Sequence, residues 1–141
     1  MRVALNLITP DPHGAGTLAA IESACHLIDE AVLVATGLEA PAPCDELAGV
    51  PVILVHRPWT DHFSEARNAA LDATTAEVVL VLDDDEQLVL GSDVLPYVHR
   101  GIRKVRTPDR AYGFALPVRT PAGEIEVPLQ LRAFATGRLR W

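Results

Sequence analysis

An unbroken run of four acidic residues, Asp83–Glu86, follows directly after the most apolar stretch of the chain, Glu77–Leu82. Carboxylates this close repel one another, so a neighbouring counter-charge or bound cation is expected. Two or three carboxylate oxygens from one turn suit a hard divalent cation such as Mg²⁺ or Mn²⁺. The same run would also make an ordinary solvated turn, but its position after a buried strand favours a binding site.

The elements that position this turn are predicted from hydrophobic periodicity. Strands are predicted at Arg2–Thr9, Ala31–Thr36, Val52–His56 and Glu77–Leu82. A first helix is predicted at Thr17–Glu30. A second helix begins after a cap at Thr60 or Asp61, and a third begins at Ser92 or Asp93. Two further strands, Ala111–Thr120 and Glu124–Ala135, meet at a turn and form a C-terminal β-hairpin. The pattern predicts an α/β sandwich with a mainly parallel central sheet flanked by helices.

Composition limits the class of protein. The chain has 141 residues and a net charge of −7, which suits a single domain. The net charge is −13 up to Asp93 and +6 beyond it. Because most of the chain is acidic, no general nucleic-acid surface is expected. No apolar run approaches the ~18 residues of a membrane span, and the start lacks signal-peptide features, so we expect a cytoplasmic protein. Cys25 and Cys44 match no metal spacing and are expected to be free thiols.

Two segments together resemble family 2 glycosyltransferases. Pro58–Leu71 is similar to the family helix W-x-D-x-F-x-x-A-R-N-x-A, and Glu77–Glu86 is similar to the strand that ends in L-D-A-D-E. The resemblance implies a GT-A fold and transfer of a sugar from a nucleotide-diphosphate sugar. It also implies that Asp83 and Asp85 form the D-x-D motif and hold Mg²⁺ or Mn²⁺ against the donor's diphosphate. Residues 1–91 would then be the nucleotide-sugar-binding half of one domain, 1–141.

The resemblance extends to other nucleotide-binding positions. Asp84 belongs to the acidic group expected to face the nucleotide. Arg67 is expected either to bind a phosphate or to reach the acidic turn, where it would form an ordinary ion pair. In the family an acid near the end of the second strand reads the nucleobase. Here Glu39 is the nearest acid, and Asp11 is the nearest match after the first strand. Because both settings differ from the family pattern, no particular base is predicted.

The acceptor half, residues 92–141, resembles the family only in part. Arg132–Trp141 is similar to the family segment R-L-F-R…R-W, which normally continues into further acceptor-side structure. A general base within one copy would then be Asp93 or Glu124. Three functions follow: a metal-dependent glycosyltransferase, a catalytically incomplete GT-A domain that binds nucleotide or nucleotide sugar, or a sugar nucleotidyltransferase. The last is disfavoured because the loop Thr9–Gly16 lacks that class's glycine-and-arginine phosphate loop.

Apolar residues near the C-terminus predict a covered surface. Leu129, Leu131, Phe134 and Trp141 lie at alternating strand positions or just past them. We therefore expect a homodimer or a hetero-complex that forms through Ala111–Trp141.

Overall fold

The computed structural model describes residues 1–105, 113–126 and 132–141. Its strands are β1 (Val3–Thr9), β2 (Glu30–Ala35), β3 (Glu46–Leu47), β4 (Val50–His56), β5 (Val78–Asp83), β6 (Gln87–Leu88), β7 (Gly113–Phe114), β8 (Val118–Arg119), β9 (Ile125–Glu126) and β10 (Ala133–Ala135). Its helices are α1 (Ala15–Ala24), α2 (Phe63–Ala73) and α3 (Leu95–Val105).

Seven of the described strands form one large sheet in the order β3-β4-β2-β1-β5-β10-β7. β1 pairs in parallel with both β2 and β5, and β2 pairs in parallel with β4. The chain therefore moves outward from β1 to β4, and α2 then returns it to β5 on the other side of β1. A parallel sheet opens a ligand crevice at such a reversal, beyond the carboxyl ends of the strands. β5 is an interior strand, as its apolar sequence predicts.

Helices cover both faces of the sheet because its inner strands are apolar on both sides. On one face Ile21 of α1 and Ile102 of α3 belong to a buried cluster that includes Leu5 and Leu80. On the other face Ala66 and Ala70 of α2 pack with valines of β2 in a second cluster. The predicted α/β sandwich is confirmed.

The C-terminal part differs from the predicted pair of long strands. Its described residues form four short strands, of which β8 and β9 pair with β6 in a second, antiparallel sheet. The predicted turn is present, since Gly123 donates its N–H to the Thr120 carbonyl at 2.8 Å. β10 instead joins the main sheet beside β5. Parts of both predicted strands, residues 111–112 and 127–131, lie outside the described residues.

The predicted boundaries of α1 and α2 differ from those of the structure. α1 ends at Ala24 rather than at Glu30, which begins β2 with a buried side chain. The Glu30 carboxylate accepts the backbone N–H groups of Thr75 and Ala76 and pairs with Arg2, so tertiary contacts favour the strand. α2 is preceded by His62, whose side chain makes no capping hydrogen bond, rather than being capped by Thr60 or Asp61.

Two further expectations concern the cysteines and the membrane. Cys25 and Cys44 are free thiols, as predicted. Within the described ranges, no helix combines the length and the apolar character needed to cross a bilayer.

Candidate functional site

A cleft of about 370 Å³ opens at the carboxyl edge of the main sheet, where β1 and β5 lie side by side. Its lining residues come from the ends of β1 and β5, the segment after β2 and the start of α2. They are Ile8, Pro10, Thr36, Trp59, Phe63, Asp83, Asp84 and Asp85. The lining thus combines two aromatic rings with three carboxylates. The structure brings Asp83, Asp84 and Asp85 together at the place that the sequence predicts.

The acidic turn is closed by hydrogen bonds between its two ends. Glu86 donates its backbone N–H to the Asp83 carbonyl at 3.1 Å, and its Oε2 accepts the Asp83 N–H at 3.0 Å. The first turn of α1 lies directly against the same segment, because a Cβ on Gly16 would stand 2.6 Å from the Asp84 carbonyl oxygen. The turn is therefore supported by its own side chain and by α1.

Arg67 lies buried beneath the first acid of the turn. Its Nη2 pairs with Asp83 Oδ1, and its Nη1 donates to the Leu82 carbonyl at 3.4 Å. Burial lowers the pKa of Arg67 from its ordinary value, and the charge of Asp83 opposes that effect. Arg67 thus forms an ion pair with the acidic turn, which is one of the two roles predicted for it.

Arg132 provides a second buried counter-charge that the sequence analysis did not single out. It lies just before β10, and its Nη2 pairs with Glu86 Oε1 at 2.6 Å. The side chain of Arg132 is 4% exposed and that of Glu86 is 12% exposed. The two residues are 46 positions apart, so no local spacing predicts the pair. The two ends of the acidic turn thus each have a buried arginine.

The rings of Phe63 and Trp141 pack against Arg67, and Trp59 packs against Phe63. The Trp59 and Phe63 rings meet edge to face with centroids 5.8 Å apart, and both side chains are partly exposed. The Arg67 guanidinium lies 5.1 Å from the Phe63 ring centroid and 5.9 Å from that of Trp141. Asn68 fixes Trp141 by exchanging two hydrogen bonds with its backbone, at 3.1 and 3.2 Å. Such faces stack well on planar or sugar rings.

Two of the predicted nucleotide-binding acids, Asp11 and Glu39, do not line this cleft in the described part of the chain. Asp11 organises the loop after β1, since its Oδ1 accepts the His13 N–H at 3.2 Å and its carbonyl accepts the Thr17 hydroxyl at 2.9 Å. Glu39 is exposed in the loop after β2. Among the predicted nucleotide-binding residues, the structure therefore groups Arg67, Asp83 and Asp84 and leaves these two outside the cleft.

The two candidate general bases, Asp93 and Glu124, lie in different parts of the structure. The segment after the acidic turn runs along α1, where Leu88 donates its N–H to the Ser23 hydroxyl at 2.9 Å. Ser92 then lines a cavity with Met1, at the opposite edge of the sheet. Asp93, which follows Ser92, therefore lies away from the acidic turn. Glu124 is exposed at the hairpin tip.

The pairing register carries that hairpin tip toward the cleft. Arg119 lies opposite Gln87, and Thr120 donates its N–H to the Glu124 carbonyl at 2.9 Å. The Glu124 position is thus level with Glu86 and two strands away, which corresponds to about 10 Å.

The chemistry of the acidic turn fits a divalent cation that takes part of its coordination from a ligand. Asp83 and Asp85 offer hard carboxylate oxygens, which Mg²⁺ and Mn²⁺ prefer. Among the described residues, no three His, Cys, Asp or Glu side chains form a ready-made metal cage. Mg²⁺ in particular is commonly held by one or two carboxylates together with substrate phosphates.

Comparison with known proteins identifies the family. The model of glycosyl transferase family 2 matches residues 15–91, more than half of the chain, and the chain belongs to that family. A TPR repeat-containing protein of Synechococcus elongatus is 45% identical over 65 residues, which cover 45% of this chain and 15% of that protein. The chain thus spans a small part of this curated relative.

Comparison with solved structures identifies the fold. The crystal structure of S. aureus TarS, residues 1–349, matches with a TM-score of 0.50 at 16% identity. The match covers 74% of this chain and 33% of that one. The fold is GT-A-like, as the resemblance implied.

Proposed function

We propose that this chain is a metal-dependent glycosyltransferase domain that binds a nucleotide-diphosphate sugar in the cleft at the carboxyl ends of β1 and β5. The donor's base or sugar ring packs against Trp59 and Phe63, and its diphosphate lies toward the acidic turn. Membership of glycosyl transferase family 2 supports the reaction class.

One observation carries the proposal. A single cleft holds two exposed aromatic rings and three carboxylates at the point where the strand order reverses. A diphosphate would be repelled by these carboxylates, of which Asp83 is paired with Arg67, so this cleft suits an anionic donor only when a cation lies between them. Asp83 and Asp85 would hold that Mg²⁺ or Mn²⁺, which stabilises the charge of a diphosphate leaving group.

The other residues of the cleft bind and orient the donor. Arg67 keeps Asp83 in place from below and offsets part of the acidic charge. Glu124, at the hairpin tip level with the acidic turn, is the proposed general base for the acceptor hydroxyl. A base must come within about 2.6–3.2 Å of that hydroxyl or act through one water, so the hairpin tip would have to approach the bound acceptor.

Calorimetry with nucleoside diphosphates and Mn²⁺, separately and together, tests the binding claim. We expect tight binding only when both are present, with Asp85→Asn weakening it by more than the roughly 10–100-fold typical of an outer-shell loss. Asp45→Asn, which removes an exposed acid in the loop after β2, should leave the affinity unchanged. Equal nucleotide affinity with and without metal would refute the metal claim. Comparing several nucleoside diphosphates also identifies the preferred base.

Turnover of the donor separates an enzyme from a binding module. We expect Glu124→Gln to lower the rate of donor hydrolysis or transfer by about 10²–10⁴-fold, the usual contribution of a general base. Its affinity for nucleotide and metal should stay unchanged. Glu126→Gln, which alters the next exposed acid of the hairpin, is the matched control. Metal-dependent binding without any turnover would instead support the catalytically incomplete domain.

A further inference from the structure

Arg132 stands between the main sheet and the acidic turn, outside the segment that the family model matches. Its backbone carbonyl accepts the Val81 N–H of β5 at 2.7 Å, which fixes the start of its side chain. Its Nη2 then reaches Glu86 Oε1, and the other oxygen of that carboxylate holds the Asp83 N–H. One continuous set of hydrogen bonds therefore connects β10 to the first acid of the turn.

This contact is desolvated and directional. The Arg132 side chain is buried, and its Nε finds no hydrogen-bond partner among the described residues. The guanidinium thus depends on Glu86 for its charge-assisted contact. Such bonds to a carboxylate are about twice as strong as neutral ones and fix orientation as well as distance. Moving Arg132 would therefore move the carboxylate that closes the turn.

We infer that Arg132 is a positioning residue for the proposed metal and diphosphate site: through Glu86 it sets the backbone of the acidic turn, so that Asp83 and Asp85 face the cleft together. Arg132 touches neither the metal nor the donor. Together with Arg67 it compensates the two ends of the turn, and among the described residues neither Asp84 nor Asp85 has an ion-pair partner. The inference rests on the proposed function for the identity of the ligand.

Hydrogen exchange of the turn amides tests the positioning itself without any ligand. Arg132→Met removes the charge and keeps most of the volume. We expect the amides of residues 83–88 to exchange faster by about tenfold or more, the size of one lost charge-assisted hydrogen bond. Arg132→Lys should recover part of the protection. Arg2→Met is the matched control, because Arg2 pairs with the buried Glu30 at the other edge of the sheet.

Binding of a nucleoside diphosphate with Mn²⁺ tests the consequence for the site. We expect Arg132→Met to weaken that binding by about 10–100-fold, the range measured when outer-shell support of a metal site is lost. Arg2→Met should leave it unchanged. Unchanged turn amides in Arg132→Met, or unchanged binding in a folded Arg132→Met protein, would overturn the inference.

Two further results are decisive. If Arg132→Met does not fold, Arg132→Lys carries the test, and values equal to those of the unaltered protein in both measurements would overturn the inference. If the unaltered protein binds no nucleoside diphosphate, the proposed function fails, while the turn amides still decide whether Arg132 positions the turn.

Discussion

At the scale of single residues, burial differs between the two ion pairs of the acidic turn. Arg67 and Arg132 are both 4% exposed, but their partners are not alike. The Asp83 side chain is 41% exposed and can be hydrated, whereas that of Glu86 is only 12% exposed. An arginine whose loss leaves a buried carboxylate behind contributes more to stability, because that carboxylate then lacks both water and a counter-charge.

The stability prediction compares the two arginines. Arg132→Met should lower the free energy of unfolding by about 3–5 kcal/mol, the cost of leaving a buried charge unpaired. Arg67→Met should cost less, about 1–2 kcal/mol, because Asp83 can turn to water. Urea denaturation followed by circular dichroism measures both. A larger loss for Arg67→Met than for Arg132→Met would contradict this explanation.

At the scale of elements, α1 and the acidic turn are in close contact through a glycine. A methyl group at Gly16 would meet the Asp84 backbone, which cannot move without moving the turn. Gly49, in the two-residue turn between β3 and β4, has a φ of +74° and open space around its Cβ position. Alanine at position 16 would clash with the Asp84 backbone, whereas alanine at position 49 would be strained by its own left-handed backbone conformation.

These two glycines give a matched pair of variants. Gly16→Ala should cost about 1–3 kcal/mol of stability through overpacking and should also weaken metal-dependent nucleotide binding. Gly49→Ala should cost about 1–2 kcal/mol through its left-handed backbone and leave binding unchanged. Thermal unfolding and calorimetry on the same samples measure both effects. Unaltered nucleotide binding in Gly16→Ala would show that α1 does not support the acidic turn.

At the scale of the whole molecule, the residues of the predicted covered surface differ in exposure. Trp141 and Ile125 are exposed, as a contact surface requires, but Phe134 is buried under α2, because β10 is an interior strand of the main sheet. The expectation of an exposed Phe134 is therefore wrong. Leu129 and Leu131 lie outside the described residues. Association through the segment 111–141 stays a prediction.

Light scattering over a range of protein concentrations tests that association. We expect a dimer, or a monomer that dimerises as concentration rises, and Ile125→Lys should shift the protein toward the monomer. Tyr97→Lys, which alters an exposed side chain of α3, is the control. A monomer at every concentration would contradict self-association and leave the hetero-complex, which a partner-dependent gain in donor turnover would reveal.

Local patterns in the sequence determined the main features of the protein. Strand and helix periodicity predicts the α/β order, because burial on one or two faces imposes a period on apolar residues. The run Asp83–Glu86 after an apolar strand predicts the acidic cleft, because strand ends and ligand sites coincide in parallel sheets. Because Arg67 lies on the helix just before that strand, an ion pair with Asp83 or Asp85 is one of its two expected roles.

Only the tertiary structure decided which distant groups meet. Glu30 is in a strand rather than a helix because Arg2 and the Thr75 and Ala76 amides bind its carboxylate. Arg132 reaches Glu86 across 46 positions because β10 lies beside β5. Asp93 lies away from the cleft because the chain before it runs along α1. Each outcome depends on contacts between segments far apart in the chain, which local periodicity does not encode.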